Sequence, residues 1–227
     1  MTFSKNNLND LNLPSYIHQA VLDPHVSTEL LKSKCDEAKE LNFSGFCIHS
    51  NQIATARKRL GQSGKTKLIS VIAFPFGSIP TMIKKHEAEW AAEKGAEEID
   101  LVPNFSALSQ NNSEIFAEEI ALICEVGLPT RVILDCNNLS ITKLNLAINA
   151  SIEAGAIGIQ TGNGFGRSIT IDDVNQFKNL VKARCEIKAV GGIKTLEKAL
   201  ELLNGGANSL GTSFGPKLIK ELKNYRQ

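Results

Sequence analysis

Apolar residues in this chain come in two rhythms. Short, nearly continuous apolar runs alternate with longer stretches where apolar positions recur every three or four residues. The runs lie at 16–22 (YIHQAVL), 45–50 (GFCIHS), 67–75 (KLISVIAFP), 97–103 (EEIDLVP), 130–136 (TRVILDC), 156–161 (AIGIQT), 186–190 (EIKAV) and 208–213 (NSLGTS). Runs of this length read as strands buried on both faces. The stretches between them, such as STELLKSKCDEAKEL, PTMIKKHEAEWAAEKG and SITKLNLAINASIEAG, combine good helix formers with a helical period. Ser27, Thr81 and Ser140 are expected as N-caps, with Pro80 where the chain turns into a helix. Three phrases, KGAEEIDLVPN, AGAIGIQTGNG and GGANSLGTSFG, share one order: a glycine suited to end a helix, a short apolar run, then polar or glycine-rich sequence.

Eight strands alternating with helices in 227 residues give the count and length of a (β/α)8 barrel, the TIM-barrel class of α/β fold. The alternative, an open doubly wound sheet, lacks a G-x-G-x-x-G turn after the first strand to support it. Residues 14–227 are expected to form one barrel domain, since no linker or shift of composition divides them. Residues 1–13 are expected to be an N-terminal arm or an extra capping helix.

Composition narrows the partners. Lysine plus arginine number 25 and aspartate plus glutamate 24. That balance gives no reason to expect nucleic acid or an anionic membrane as a partner. The longest apolar runs fall far short of the ~20 residues that cross a bilayer. The polar, Asn-rich start has no signal-peptide core. The five cysteines form no C-x-x-C pair and fall mostly in apolar segments, as reduced thiols of a cytoplasmic protein would.

In a closed barrel, chemistry sits at the C-terminal ends of the strands. That rule selects His18 to Asp23, His49, Asp100, Asn104, Asp135, Cys136, Asn137, Gln160, Thr161, Asn163 and Lys188, with the turns Gly191-Gly192 and Gly211-Thr212-Ser213. Lys188 carries most information. A lysine inside a strand core needs a partner or a task, and Asp100 and Asp135 are the carboxylates available to it. The turns after the last two strands suit a phosphate bound on backbone N–H groups at helix starts. Gly191, Gly192 and Gly211 would allow close approach, Thr212 and Ser213 would add hydroxyls, Lys194 would add charge, and Gly164 in GNGFGR would complete the cradle. His18 and His49 lie on neighbouring strands without a third ligand, so neither a metal nor another cofactor is expected. His25 and His86 read as surface residues, and no Ser-His-Asp set or nucleophile elbow is present.

These residues together resemble the deoxyribose-phosphate aldolase family over about residues 16–215. AFPFG at 73–77 is similar to the family's G-F-P-x-G, and EEIDLVPNFSAL at 97–108 to its E-I-D-M-V-x-N-x-x-A-L. VILDCNNLS resembles V-I-I-E-T-C-x-L-T, IKAVGGIKTLEKAL resembles V-K-A-S-G-G-I-R-T-x-x-x-A-L, and LGTSFG resembles I-G-T-S-S-G. The resemblance implies reversible cleavage of 2-deoxyribose 5-phosphate into glyceraldehyde 3-phosphate and acetaldehyde. It implies a Schiff base on a lysine of the sixth strand, a helper lysine matching Lys188 and a proton-transferring aspartate matching Asp100. The Schiff-base position, in the family's K-T-S-T-G-F, is held here by Gln160. The family's D-H-T is His18-Gln19-Ala20, its following lysine is Asp23, and its N-P is His49-Ser50. The serine before Gly-Gly is Val190, the arginine after it is Lys194, and the last serine of the final turn is Phe214.

Three functions follow as expectations. The first is an aldolase using Lys188 as its amine. The second is a non-catalytic sugar-phosphate binder. The third is other acid–base chemistry at His18, His49, Asp100 or Asp135. The partner is a small phosphorylated sugar or aldehyde, and the family resemblance implies a monomer or homodimer.

Overall fold

The computed structural model describes residues 5–62 and 64–226. Eight parallel strands close into a barrel in sequence order. They are β1 (Ile17–Val21), β2 (Gly45–His49), β3 (Lys67–Ile72), β4 (Glu98–Leu101), β5 (Thr130–Ile133), β6 (Gly158–Gln160), β7 (Glu186–Val190) and β8 (Ser209–Thr212). Outside them run α1 (Thr28–Glu40), α2 (Ile53–Leu60), α3 (Thr81–Glu93), α4 (Phe105–Ser109), α5 (Ser113–Cys124), α6 (Ile141–Glu153), α7 (Ile171–Val181), α8 (Leu196–Gly205) and α9 (Gly215–Tyr225). Every expected strand is present, and most are trimmed at their ends. The 67–75 run stops at Ile72 because Ala73 turns into the left-handed region at φ +56°. Its N–H leaves the ladder to donate to Glu87 Oε2 at 2.8 Å.

The glycine phrases behave as their order predicts. Gly95, Gly155 and Gly206 take φ of +99°, +96° and +112° where α3, α6 and α8 end, a conformation other residues adopt only with strain. Ser27 and Ser140 cap α1 and α6 by accepting from Leu30 N and Lys143 N. Thr81 does not cap α3. Pro80 holds that position, and the Thr81 hydroxyl donates instead to Glu119 Oε2 at 2.8 Å.

Period two divides each strand between two environments. Phe46, Ile48, Ile99, Leu101, Val132, Ile159, Ile187 and Ala189 are buried against the helical layer. Their neighbours His18, Cys47, Asp100, Arg131, Gln160 and Lys188 are buried too, but they point into the barrel, where contacts reach across non-adjacent strands. The main core therefore lies between strands and helices, while the lumen holds the charged side chains beside a small apolar cluster of Cys47, Ile69 and Val71.

Two ties act outside the lumen. Lys84 on α3 and Glu119 on α5 form an ion pair at 2.7 Å with side chains 0 % and 1 % exposed. Lys84 Nζ also donates to Val102 O at 3.1 Å, just after β4. At the chain ends, 3-10 turns at Lys5–Asp10 and Leu13–Tyr16 precede β1. Leu8, Leu11 and Leu13 are buried, and the Arg226 guanidinium donates to Leu8 O at 2.6 Å and Leu11 O at 2.7 Å.

Candidate active site

The strands open at their C-terminal ends onto a cavity of about 470 Å³. Lys188, Gln160, His18 and Cys47 line it. So do the Gly191-Gly192 and Gly211-Thr212-Ser213 turns, together with Gly164 and Lys194. The strand-end rule thus brings together every residue expected at the catalytic and phosphate positions except Asp100, which sits directly beneath.

Lys188 Nζ donates to Asp100 Oδ2 across the lumen, from β7 to β4. Cys47 Sγ lies 3.5 Å from the same oxygen. The other Asp100 oxygen is 3.9 Å from Arg131 Nη1. Asp100 therefore stands between two cations, and Asp135 is not the partner of Lys188. Asp135 lies past the end of β5 and accepts from Asn137 N at 3.2 Å and Asn138 Nδ2 at 2.7 Å, closing a local turn.

Arg131 was not among the residues expected at the site. It pairs with Asp100 in the β4–β5 register and donates to Glu98 Oε2 and Glu186 Oε2. Burial alone would lower its pKa, but the Asp100 and Glu98 carboxylates hold the guanidinium above its ordinary value. The signal that singled out Lys188, a cation inside an apolar run, was present in TRVI as well.

Glycines make room for these side chains. A Cβ on Gly211 would fall 3.1 Å from Lys188 Cε and 2.6 Å from Val190 Cγ2. One on Gly158 would fall 3.2 Å from Arg131 Cγ.

Gln160 faces the cavity and pairs with Lys188 in the β6–β7 register. Its Nε2 donates to Gly162 O at 2.7 Å, which fixes the amide. Its Oε1 is sealed and has no hydrogen-bond partner among the described residues.

His18 and His49 do not converge. His18 lies on the cavity floor, where burial and then the charges of Lys188 and Arg131 push its pKa well below the ordinary imidazole value. His49 turns away to Leu22 O at 3.2 Å and meets Phe74 edge-on at 5.8 Å. His25 and His86 are exposed. Among the described residues no three histidine, cysteine or carboxylate side chains are placed to hold a metal ion. Burial raises the Cys47 thiol to about 12.

The turns after β7 and β8 are only partly free. Gly191 and Gly192 take φ of +124° and +68°. The second packs so closely that a Cβ would fall 2.0 Å from Ser168 Oγ. Thr212 does not offer its hydroxyl to the cavity. It donates to Ile193 O at 2.7 Å and accepts from Phe214 N at 3.0 Å. Gly215 N, the first N–H of α9, donates to Gln19 Oε1 at 3.0 Å. Lys194 Nζ lies 5.5 Å from the centre of the Phe214 ring. Arg167, in the glycine-rich loop, is held by Asp173 through two bonds of 2.7 Å and faces away from this task.

No helix among the described residues is long and apolar enough to cross a membrane. No family model matches the chain. Individual proteins do. A deoxyribose-phosphate aldolase of Microcystis aeruginosa is 37% identical over 216 residues, covering 94% of this chain and 95% of the relative. One of Thermococcus kodakarensis is 35% identical over 219 residues, covering 94% and 98%. Among solved structures, the aldolase QR15 superposes with a TM-score of 0.90 at 31% identity, covering 94% of this chain and 97% of that one. A tetrameric deoxyribose phosphate aldolase of Aeropyrum pernix gives 0.84 at 29% identity, covering 93% and 91%. With this likeness running through nearly the whole barrel, the chain belongs to the deoxyribose-phosphate aldolase family.

Proposed function

We propose that the chain is a carbon–carbon lyase that cleaves 2-deoxyribose 5-phosphate, reversibly, into glyceraldehyde 3-phosphate and acetaldehyde, with Lys188 as the imine-forming amine. The observation that carries this reading is the direct contact of Lys188 Nζ with Asp100 Oδ2 at the floor of the cavity. An imine needs a neutral amine, and the usual way to obtain one is a neighbouring ammonium. Gln160 leaves no such neighbour at the Schiff-base position, so the proton must pass to a base already in contact, and Asp100 is that base.

The steps balance. The Lys188 ammonium gives a proton to Asp100, and its nitrogen adds to C1 of the open-chain sugar. A proton moves from the added nitrogen to the new C1 oxygen. The Asp100 carboxylic acid then protonates that oxygen, which leaves as water, and an iminium remains. The Asp100 carboxylate takes the C3 hydroxyl proton as the C2–C3 bond breaks, which releases glyceraldehyde 3-phosphate, leaves the electron pair in an enamine and leaves Asp100 with the proton that C2 takes up next. Protonation of C2 and hydrolysis release acetaldehyde and restore the ammonium. At the other end, the backbone of Gly191-Gly192, Ser213 and Lys194 supply N–H, hydroxyl and positive charge for the phosphate.

The test is acetaldehyde release from 2-deoxyribose 5-phosphate by the protein and by Lys188→Ala. Turnover lost with the lysine supports the reading, and equal release by the variant overturns it. A second reading, a sugar-phosphate binder without turnover, draws on the Gln160 amide being fixed against Gly162 O at the position where the family resemblance implies a reactive amine. A rise in thermal midpoint with 2-deoxyribose 5-phosphate and no acetaldehyde release would favour it over the lyase.

A further inference from the structure

His18 lies on the cavity floor beside Lys188, and the steps above leave it without a task. The residue is 6 % exposed. The Cγ–Cδ2 edge rests against β2, where a Cβ on Gly45 would fall 2.9 Å from Cδ2 and 3.0 Å from Cγ. The absence of a side chain at position 45 is therefore what lets the ring sit there. Nδ1 is sealed, with no hydrogen-bond partner among the described residues. That leaves Nε2 as the nitrogen a bound molecule can meet.

The charge around the ring decides where its proton sits. Lys188 and Arg131 bear on it from β7 and β5, while Asp100 is engaged between those two cations and the Cys47 thiol is neutral. Burial and the two cations keep the imidazole uncharged, so it carries one N–H. An N–H at the sealed Nδ1 would be a buried donor without an acceptor, while one at Nε2 can meet a bound molecule. The proton therefore belongs on Nε2, towards the cavity.

We propose that His18 is a further catalytic residue of this site: its Nε2–H donates to the C1 oxygen of the bound carbonyl while the Lys188 nitrogen adds to C1. As the C=O π bond breaks, its electron pair goes onto that oxygen, and the His18 N–H holds the developing charge. The proton that the oxygen finally carries comes from the added nitrogen, so His18 ends the step unchanged. A neutral imidazole serves as such a donor in another barrel enzyme, where it polarises a carbonyl without the charge of an imidazolium. Here an imidazolium would also repel the Lys188 ammonium. The assignment rests on the lyase reading for its chemistry.

Two measurements on the full chain test it. Nitrogen-15 NMR of the histidine rings reads the tautomer directly, and His18 is expected as neutral Nε2–H at neutral pH and still at about pH 6.5, the ordinary imidazole midpoint. The rate of acetaldehyde adduct formation, trapped with borohydride, is compared for the parent, His18→Gln and His18→Leu. The glutamine amide can place a donor near the Nε2 position, and leucine cannot. Leucine is expected to slow adduct formation about a hundred-fold and glutamine at most about ten-fold. A charged or Nδ1–H ring overturns the proposal, as does a glutamine variant as slow as leucine or a folded leucine variant at the parent rate. Should the leucine variant not fold, the glutamine rate and the tautomer still decide. An Nε2–H ring in a parent protein that forms no adduct would instead overturn the lyase reading, and the catalytic role with it.

Discussion

Asp100 on β4 holds two buried cations at once: Lys188 through Oδ2, and Arg131 3.9 Å from Oδ1. The carboxylate proposed to take the Lys188 proton thereby also neighbours the buried Arg131. The pairing is asymmetric. Arg131 has Glu98 and Glu186 as further partners, whereas Lys188 has Asp100 alone among the ion pairs described.

That asymmetry predicts unequal losses. Removing the charge in Asp100→Asn leaves Lys188 without its carboxylate and takes one from Arg131. The expected destabilisation is about 3–5 kcal/mol, the range for breaking a buried pair from one side. Lys188→Met leaves Asp100 facing Arg131 and should cost less. Urea unfolding of the three proteins checks this, and an equal or larger loss for Lys188→Met would contradict the arrangement.

The Lys84–Glu119 pair gives a second case, away from the cavity. Its carboxylate accepts from both Lys84 and Thr81, and burial is the main influence lowering the Lys84 pKa. Glu119→Leu alone should cost about 3–5 kcal/mol, and adding Lys84→Met should recover most of it, because a buried pair replaced by apolar residues is often neutral. A double variant no more stable than the single one would show that the pair contributes beyond mutual neutralisation.

Asp173 sets a pH dependence. The hydrogen bonds from Arg167 are the largest influence holding its carboxyl at about 2, below the ordinary 3.8. A depressed acid stabilises the fold fully above its unfolded value, and that contribution disappears as pH falls through the folded value. Allowing for the half-exposed arginine, the contribution is about 1 kcal/mol. Asp173→Asn should therefore be less stable than the parent by about this amount at about pH 6, and the gap should close towards about pH 2. A gap independent of pH would remove the ion pair as its cause.

Gln160→Lys tests whether the cavity accepts an amine at the position that the family resemblance assigns to the Schiff base. The position faces the cavity and pairs with Lys188 in register, so the new amine would have an ammonium neighbour to lower its pKa. Acetaldehyde release is expected to rise and the trapped adduct to move to position 160. A folded variant with no gain would mean that other parts of the site had also been lost.

Much of this was legible in the residues. The apolar runs announced every strand because a parallel barrel buries both faces of each one, and the glycines at 95, 155 and 206 marked where helices end. Lys188 was conspicuous because a cation interrupts EIKAV. Arg131 interrupts TRVI in the same manner but went unread, since its partners Glu98 and Glu186 lie on two other strands and only the closed barrel brings them together. Lys84 and Glu119 had no signal at all. Each looks like an ordinary charge on an amphipathic helix until α3 packs on α5. The hydroxyls at 81 and 212 were misread because sequence shows a donor but not which acceptor it finds.

The central claim is that Lys188 is the reacting amine. Borohydride reduction of the protein with acetaldehyde, followed by peptide mass spectrometry, tests it most directly. One ethyl group is expected on Lys188 and none in Lys188→Ala. A parent protein that acquires no adduct while folded, or acquires it on another lysine, contradicts it.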